Sequence, residues 1–178
     1  FPDRPFISLS GLDDTLLDTL AFHIGLIELV SYWKATCSPR IIIKPYRLDA
    51  PALRWWRYLY FQGQGEFFYL NGLQPDPDDF VELICDAERN LSNPVDFEGR
   101  GTLVPIGGGK DSVVSLELLR KYGAQLRPLI MNPRGATLNS AAAAGFGEDD
   151  CLVIRRTIDP ELLRLNAEGF LNGHTPFS

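Results

Sequence analysis

The fold is decided by the stretch TLVPIGGGKDSVVSLELLRKYG at positions 102–123. Its first five residues form a short apolar run typical of a strand and lead directly into three glycines. From Lys110 onward apolar residues recur at helical spacing, and Gly123 stands where the left-handed residue after a helix is commonly found. The sequence therefore predicts a strand, a tight loop and a helix in direct succession.

The same arrangement is repeated downstream. Residues 126–131 and 151–155 are predicted strands, and residues 137–146, with four consecutive alanines, are the predicted helix between them. Each strand begins about 25 residues after the previous one, the pitch expected when crossover helices join parallel strands. Asp159 then caps another helix, and Gly173 follows its predicted end. We therefore expect an α/β fold with a parallel sheet.

The first hundred residues differ in character, because they are rich in aromatic residues and mixed in pattern. A linker-like stretch over residues 92–101 separates them from the regular part. We place the boundary near Glu98, which gives a smaller mixed α+β unit over 1–98 and an α/β unit over 99–178. The second unit offers only three predicted parallel strands, so we expect a sheet that is incomplete at the C-terminus and a chain that is part of a longer protein.

Hydrophobic patterns in the first unit predict three helices and two strands. The long first helix carries apolar residues on most of its faces, which predicts that it is largely buried. Asp78 and Asp79 favour the N-terminus of another helix, because negative charge is stabilised there. The predicted helices are 14–35, 51–61 and 77–89, and the predicted strands are 40–44 and 66–70.

The composition argues against several classes of protein. The 178 residues include 17 Lys and Arg against 23 Asp and Glu, a formal net charge of −6, and 45% of the residues are hydrophobic. Such a chain builds a core, and its acidic balance argues against a nucleic-acid partner held through the phosphate backbone. No apolar run reaches about 18 residues, the length that a membrane helix requires, so we expect a cytoplasmic protein without a membrane partner. The three cysteines lack metal-binding or redox spacing, so we expect structural thiols.

The glycine loop has the chemistry of a phosphate site. Three glycines allow a sharp turn that brings successive N–H groups close to an anion, and the following helix points its positive end at the same place. Lys110 adds a positive charge, Ser112 adds a hydroxyl donor, and Asp111 can accept from loop N–H groups or hold a divalent cation. The predicted phosphate site comprises Gly107, Gly108, Gly109, Lys110, Asp111 and Ser112.

Two common phosphate-binding motifs do not fit this loop. A Walker A loop would need its first glycine where Val104 stands and a Ser or Thr where Asp111 stands. A dinucleotide-binding GxGxxG motif would need its third glycine at Ser112. A tight turn without a ligand is the alternative interpretation, and three glycines followed by Lys and Ser argue against it.

The loop resembles that of a known superfamily. GGGKDS at the end of a first parallel strand is similar to the SGGxDS pyrophosphate-binding loop of the PP-loop, or N-type, ATP pyrophosphatases. Gly107 replaces the usual Ser, which removes one side-chain donor. The resemblance implies a PP-loop type of parallel sheet, cleavage of ATP between its α and β phosphates, and a magnesium ion near Asp111. It also implies that adenine lies near Ile130 and Met131, at the end of the second strand.

A second resemblance covers most of the chain. IELVSYWKATCSP at 27–39, GEFFY at 65–69, the glycine loop, Asn139-Ser140 and NGHTP at 172–176 are similar to the ATP-dependent UDP-N-acetylmuramoyl-L-alanyl-L-glutamate epimerases. The resemblance implies an isomerase of peptidoglycan precursor synthesis that inverts the terminal L-Glu to D-Glu through an acyl adenylate, using ATP and Mg²⁺. It further implies that this chain is the N-terminal portion, and that a C-terminal portion or an oligomer completes it.

Other polar residues are candidates for contact with the UDP-linked muramyl dipeptide. His174 is a candidate general base or substrate contact, and a solvated loop histidine is the alternative. Arg134 and Asn172 are candidate substrate contacts, with a surface role as the alternative. Two other functions stay open: another PP-loop adenylating enzyme, such as a synthetase or a tRNA-modifying enzyme, and a nucleotide-binding module without turnover.

Overall fold

The computed structural model describes residues 14–91, 101–171 and 173 of the chain. In chain order the elements are α1 (Asp14–Trp33), β1 (Arg40–Ile43), α2 (Ala50–Gln62), α3 (Gly65–Leu70), β2 (Glu82–Cys85), β3 (Thr102–Pro105), α4 (Lys110–Lys121), β4 (Leu126–Met131), α5 (Gly135–Ala143), β5 (Leu152–Ile154) and α6 (Pro160–Ala167). A short 3₁₀ turn, Glu148–Asp150, precedes β5.

The described residues form two compact units. The first unit contains residues 14–91, 158–171 and 173, and the second contains residues 101–157. The predicted boundary at Glu98 lies outside the described residues. The C-terminal residues group with the first unit, whereas the sequence placed them with the second. The Asp159 N–H donates to the Tyr32 hydroxyl at 3.2 Å, and Leu171 packs against the first unit's core.

The first unit contains a two-stranded parallel sheet. Strand β1 pairs with β2, with Arg40 opposite Glu82 and Ile43 opposite Cys85. Its isoleucines alternate as a strand requires, with Ile41 and Ile43 buried and Ile42 56% exposed. Parallel strands need a long crossover connection, and the segment that contains α2 and α3 supplies it.

Aromatic and aliphatic side chains form the core of this unit. The fully buried Tyr60 hydroxyl donates to the carbonyl of Leu26 at 2.6 Å, which joins α2 to α1. Burial also raises the pKa of Tyr60, because the phenolate is less stable away from water. The buried core residues are Leu26, Val30, Trp33, Ile41, Ile43, Leu48, Trp56, Tyr60, Phe67, Phe68 and Val81.

Residues 66–70, predicted as a strand, form helix α3 instead. Phe67 and Phe68 are buried, whereas Tyr69 is 84% and Leu70 is 61% exposed. Two adjacent buried residues followed by two exposed ones do not alternate as a half-buried strand would. A short aromatic run has no periodicity that separates a strand from a helix, and tertiary packing decides between them.

Residues 77–89 were predicted to be a helix, and that prediction is wrong: a turn leads into strand β2. The acidic Asp78 and Asp79 lie in the turn before the strand. The backbone N–H and C=O groups of β2 are satisfied by hydrogen bonds to β1. A helix over these residues would leave β1 without this partner. The long-range partner therefore overrides the local signal.

Helix α1 is less buried than its composition predicts. Only Leu26, Val30, Ser31 and Trp33 are buried in it, whereas Leu20 is 49% and Ile24 is 63% exposed. It is also the one described helix that is long and apolar enough to cross a membrane by length and composition, contrary to the expectation from the sequence. Core helices and signal sequences meet the same criteria, so this feature is weak evidence for a membrane-spanning helix.

The second unit confirms the predicted α/β architecture. Strands β3, β4 and β5 lie side by side in that order and are all parallel, with Thr102 opposite Leu126 and Leu129 opposite Leu152. Helices α4 and α5 connect them. The buried core residues are Val104, Ile106, Leu116, Ile130, Ala141, Ala144 and Cys151.

Glycines with a left-handed backbone follow helices α4 and α6, the two whose ends the sequence predicted from a glycine. Gly123 follows α4 with a φ of 71°, as predicted. Helix α6 ends at Ala167, and the left-handed residue after it is Gly169, with a φ of 93°, rather than the predicted Gly173. The predicted helix was therefore too long.

Candidate functional site

The glycine loop follows strand β3 at the edge of the second unit's sheet where β3, β4 and β5 have their carboxyl ends. Pairing of β3 with β4 continues one residue past the strand, because the Ile106 N–H donates to the Leu129 carbonyl at 2.8 Å. Ile106 is buried in the core, so it fixes where the loop begins. Since the three strands are parallel, their carboxyl ends share one edge of the sheet, which is where α/β folds commonly bind ligands.

Gly108 packs against the first turn of helix α5. Its φ is +84°, and a Cβ atom at this position would lie 3.0 Å from backbone atoms of Ala136 and Thr137. Any other residue at this position would have a strained backbone, and its Cβ would clash with the backbone of α5. Glycine is therefore required, and the close contact brings the N-termini of α4 and α5 together.

Gly109 and Ser112 shape the start of α4. Gly109 is the N-cap residue and has no side chain to cap the helix, so it leaves the first N–H groups available to an external acceptor. The Ser112 Oγ accepts the Gly107 N–H at 3.0 Å, which braces the loop. The hydroxyl hydrogen of Ser112 stays available for donation to a ligand.

The charged residues of the loop lie at the surface. Lys110 and Asp111 are exposed in the first turn of α4. The positive end of the helix dipole and the Lys110 ammonium both favour an anion at this place. Among residues 14–91, 101–171 and 173, no three His, Cys, Asp or Glu side chains come together as a metal site. Within this part of the chain, Asp111 belongs to no group of three such side chains.

Arg134 stands immediately before α5. The Thr137 Oγ1 accepts the Arg134 N–H at 2.9 Å and donates to the Arg134 carbonyl at 2.8 Å. The backbone of Arg134 is thus fixed by a buried threonine, while Arg134 itself is exposed. A guanidinium in this position suits a phosphate or carboxylate.

Sequence reasoning missed Asn132. Its backbone is left-handed, with a φ of 51°, at the carboxyl end of β4. Its side-chain amide donates to the Arg156 carbonyl at 2.9 Å and accepts the Arg156 N–H at 2.8 Å. Asn132 therefore ties the ends of β4 and β5 together beside the loop. The Asn-Pro dipeptide was the available signal, because it marks a turn.

The remaining candidate residues have different surroundings. Ile130 is completely buried in the core of the second unit, whereas Met131 is 40% exposed at the carboxyl end of β4. Met131 is therefore the accessible member of the pair predicted near adenine. Asn172 and His174 lie outside the described residues, and Gly173 between them belongs to the first unit.

The cysteines have the properties of structural thiols. Cys37, Cys85 and Cys151 are all free. Burial raises the pKa of Cys37. Burial also raises the pKa of Cys151, and the nearby Asp150 and Glu148 carboxylates add to that increase. A raised thiol pKa disfavours the nucleophilic thiolate.

The comparisons with known proteins agree with one another. A family model described as the MurL N-terminal domain matches residues 5–178. A protein of Xanthomonas oryzae pv. oryzae (strain MAFF 311018) named UDP-N-acetyl-alpha-D-muramoyl-L-alanyl-L-glutamate epimerase is 37% identical over 175 residues, which are 98% of this chain and 38% of the relative.

Two further relatives carry the same name. That of Salinispora tropica is 37% identical over 153 residues, 86% of this chain and 32% of the relative. That of Micromonospora sp. is 34% identical over 169 residues, 92% of this chain and 36% of the relative. The chain thus spans about a third of the length of the curated relatives that it matches. No solved structure matches the chain.

Proposed function

Because the chain belongs to the MurL N-terminal domain family, we propose that it is part of an ATP-dependent epimerase. The proposed substrate is UDP-N-acetylmuramoyl-L-alanyl-L-glutamate, whose terminal L-Glu is inverted to D-Glu. The names of three relatives support this activity. We further propose that the second unit is a PP-loop domain and that the enzyme works in the cytoplasm, on a small-molecule precursor of peptidoglycan.

The observation that carries the proposal is the contact between Gly108 and the first turn of α5. It places two helix N-termini side by side at the carboxyl edge of a parallel sheet. Each N-terminus presents N–H groups without an intrahelical acceptor, and such groups bind phosphate well. A Cβ at Gly109 would meet nothing within 4 Å, so an anion has room to approach the loop there.

Residues of the loop then have separate roles toward ATP. Gly108 and Gly109 hold phosphate oxygens through their backbone, Lys110 neutralises phosphate charge, and Ser112 donates its hydroxyl hydrogen. Asp111 is proposed to hold magnesium, directly or through water, and Met131 to contact adenine. Magnesium supplies further charge neutralisation when bound. It commonly takes one or two carboxylates together with phosphate oxygens, and Asp111 can supply one such carboxylate.

Activation of the substrate is the proposed first step. An α-hydrogen beside a carboxylate is a very weak acid, because its removal places a carbanion next to a negative charge. Attack of that carboxylate on the α-phosphorus of ATP gives an acyl adenylate and releases pyrophosphate. The negative charge of the carboxylate is thereby removed, so the α-proton becomes more acidic.

Proton transfer and hydrolysis complete the reaction. A base removes the α-proton from one face of the carbon, and a proton is returned to the other face. Water then attacks the acyl group and releases AMP and the D-Glu product. We propose His174 as a base, with Asn172 and Arg134 as contacts for the substrate's polar groups. The overall reaction converts ATP and water to AMP and pyrophosphate for each inversion.

The experiment uses the intact protein with ATP, Mg²⁺ and the L-Glu nucleotide in deuterated water. We expect D-Glu product carrying deuterium at the α-carbon, with AMP and pyrophosphate released together. Release of ADP and phosphate would contradict adenylation. Binding of ATP without turnover would favour a nucleotide-binding module instead.

A further inference from the structure

Helices α4 and α5 cover only one face of the sheet in the second unit. Val104 of β3 and Ile130 of β4 belong to one buried core. Leu116 of α4 and Ala141 of α5 belong to the same core, so both helices pack on the same face of the sheet. Right-handed crossovers that advance in one direction along a parallel sheet place their helices in this way. We call the opposite face the outer face.

The outer face is largely apolar. Side chains alternate between the two faces along a strand, and Val104 and Ile130 point toward the helices. Their neighbours in β3 and β4 therefore point to the outer face. Strand β5 continues this face, because Leu152 lies opposite Leu129 in the register. The apolar residues of the outer face are Leu103, Pro105, Leu129, Met131, Leu152 and Ile154.

Much of this apolar surface is open to solvent. Leu103 is 52% and Met131 is 40% exposed, and Pro105 is exposed as well. Arg127 is the one charged residue that these three strands place on the outer face, and its guanidinium donates to the Asp150 carbonyl at 3.2 Å. Parallel sheets occur almost only with both faces covered, and contiguous exposed apolar surface is typical of a contact site. The outer face therefore has the properties of a docking surface.

The rest of the protein can supply the segment that docks there. The matching family model is described as an N-terminal domain, and the matched part is 38% or less of each of the three relatives. Most of each relative therefore lies outside the matched part. Helices are the elements that cover the faces of parallel sheets. We propose that a helix from the part of the protein that follows this chain packs on the outer face.

One helix has the right dimensions for this surface. Neighbouring strands lie about 4.8 Å apart, so β3 and β5 are about 10 Å apart across β4. A helix with its side chains is about 10 Å across. Such a helix presents an apolar stripe to Leu103 and Leu129 and its polar side to solvent. Met131 is left out of the tests, because it is also the proposed contact for adenine.

The first test measures thiol reactivity in the intact protein. Ser115 is an exposed residue of α4, so Ser115→Cys gives a reference thiol on the helix side of the unit. In the folded protein the new thiol of Leu103→Cys should react with a soluble maleimide at least about tenfold more slowly than this reference, because the reagent must wait for the helix to move away. Peptide mass spectrometry separates both sites from the three native cysteines.

Unfolding and dilution provide the controls. Both thiols should react at the same rate in urea, which shows that the difference depends on the fold. Equal rates in the folded protein would overturn the proposal, since the outer face would then be open. Protection that disappears when the protein is diluted to a monomer would also overturn it, because a second copy would then be the occupant. Pro105→Cys replaces Leu103→Cys if that variant does not fold.

Cross-linking in the intact protein identifies the segment that covers the face. A photoreactive amino acid at position 103 should cross-link to peptides that follow residue 178. A mixture of unlabelled and heavy-nitrogen protein should show that both cross-linked peptides come from one copy. Cross-links confined to the 178 residues, or formed between two copies, would overturn the proposal. Neither test uses ATP or turnover, so both are independent of the proposed function.

Discussion

Each unit of this protein contains a lysine and a closely packed glycine, and the two pairs differ in the exposure of the lysine. In the second unit Lys110 is exposed beside Gly108 at the start of a helix. In the first unit Lys34 is buried and its ammonium is bonded to the carbonyl of Gly173. A buried ammonium interacts with the chain itself, whereas an exposed ammonium beside backbone N–H groups can interact with a ligand. Exposure thus separates a charge that is available to a ligand from one that holds the chain.

The largest expected effect comes from removing the exposed lysine and its neighbouring hydroxyl. Lys110→Ala combined with Ser112→Ala should weaken ATP binding by about 1.5–3 kcal/mol for each charge-assisted bond lost, or about 3–6 kcal/mol together. Calorimetric titration measures this. Lys121→Ala with Ser115→Ala alters the same residue types elsewhere on α4 and should leave the affinity unchanged. Equal affinities in the two double variants would place the ATP site elsewhere.

Replacing Gly108, the glycine of the exposed pair, should lower the free energy of unfolding. Gly108→Val places a β-branched residue at a φ of +84° and puts its Cβ 3.0 Å from the backbone of α5. We expect the free energy of unfolding to fall by at least about 2 kcal/mol. Urea unfolding monitored by circular dichroism measures this change. Gly107→Ala is the control, since the nearest atom to its Cβ is the Ser112 hydroxyl at 4.0 Å. A harmless Gly108→Val would contradict the close packing of the loop on α5.

Replacing Gly173, the glycine of the buried pair, should have a smaller effect on the free energy of unfolding. Gly173→Ala adds a methyl group against Phe67, and overpacking of this kind costs about 1–3 kcal/mol. The three tryptophans all lie in the first unit, so their fluorescence reports its unfolding. In Gly65→Ala the new methyl meets no atom within 4 Å and lies in helix α3, so this variant should unfold no more easily than the wild type. If both variants behave alike, Gly173 does not pack as described.

The two units also differ in how far their sequences predict their structures. In the second unit, strands, helices and glycines repeat at one pitch, so local patterns and the final parallel sheet agree. In the first unit the strand β2 was predicted as a helix and the helix α3 as a strand. Both errors fall on short segments whose state is decided by partners distant in sequence, namely β1 for β2 and the aromatic core for α3.

The candidate site was predictable in composition but not in geometry. Three glycines before Lys and Ser indicate a phosphate loop from spacing alone. That Gly108 touches α5, or that Asn132 adopts a left-handed backbone to tie β4 to β5, depends on how distant segments meet. Lys34 gave no signal of burial in the sequence, because lysine is usually exposed and its partner lies 139 residues further along the chain.

The smallest expected effect concerns Gln64, a buried polar residue of the first unit that lies one helical turn before Phe67. Its side-chain nitrogen and oxygen are fully buried and have no hydrogen-bond partner among the described residues, so the folded state carries the cost of their lost hydration. The backbone of Gln64 is bonded independently, since its carbonyl accepts the Phe68 N–H at 2.9 Å.

Gln64→Met keeps the shape of the side chain and removes the two unpaired groups. The free energy of unfolding should therefore stay unchanged or rise by up to about 1 kcal/mol, measured by tryptophan fluorescence in urea. Gln62→Met alters an exposed glutamine of α2 and should stay within about 0.5 kcal/mol of the wild type. A loss above about 1 kcal/mol in Gln64→Met would mean that the amide has a partner, such as a bound water. The first unit would then hold a further buried polar contact beside the Tyr60–Leu26 and Lys34–Gly173 hydrogen bonds.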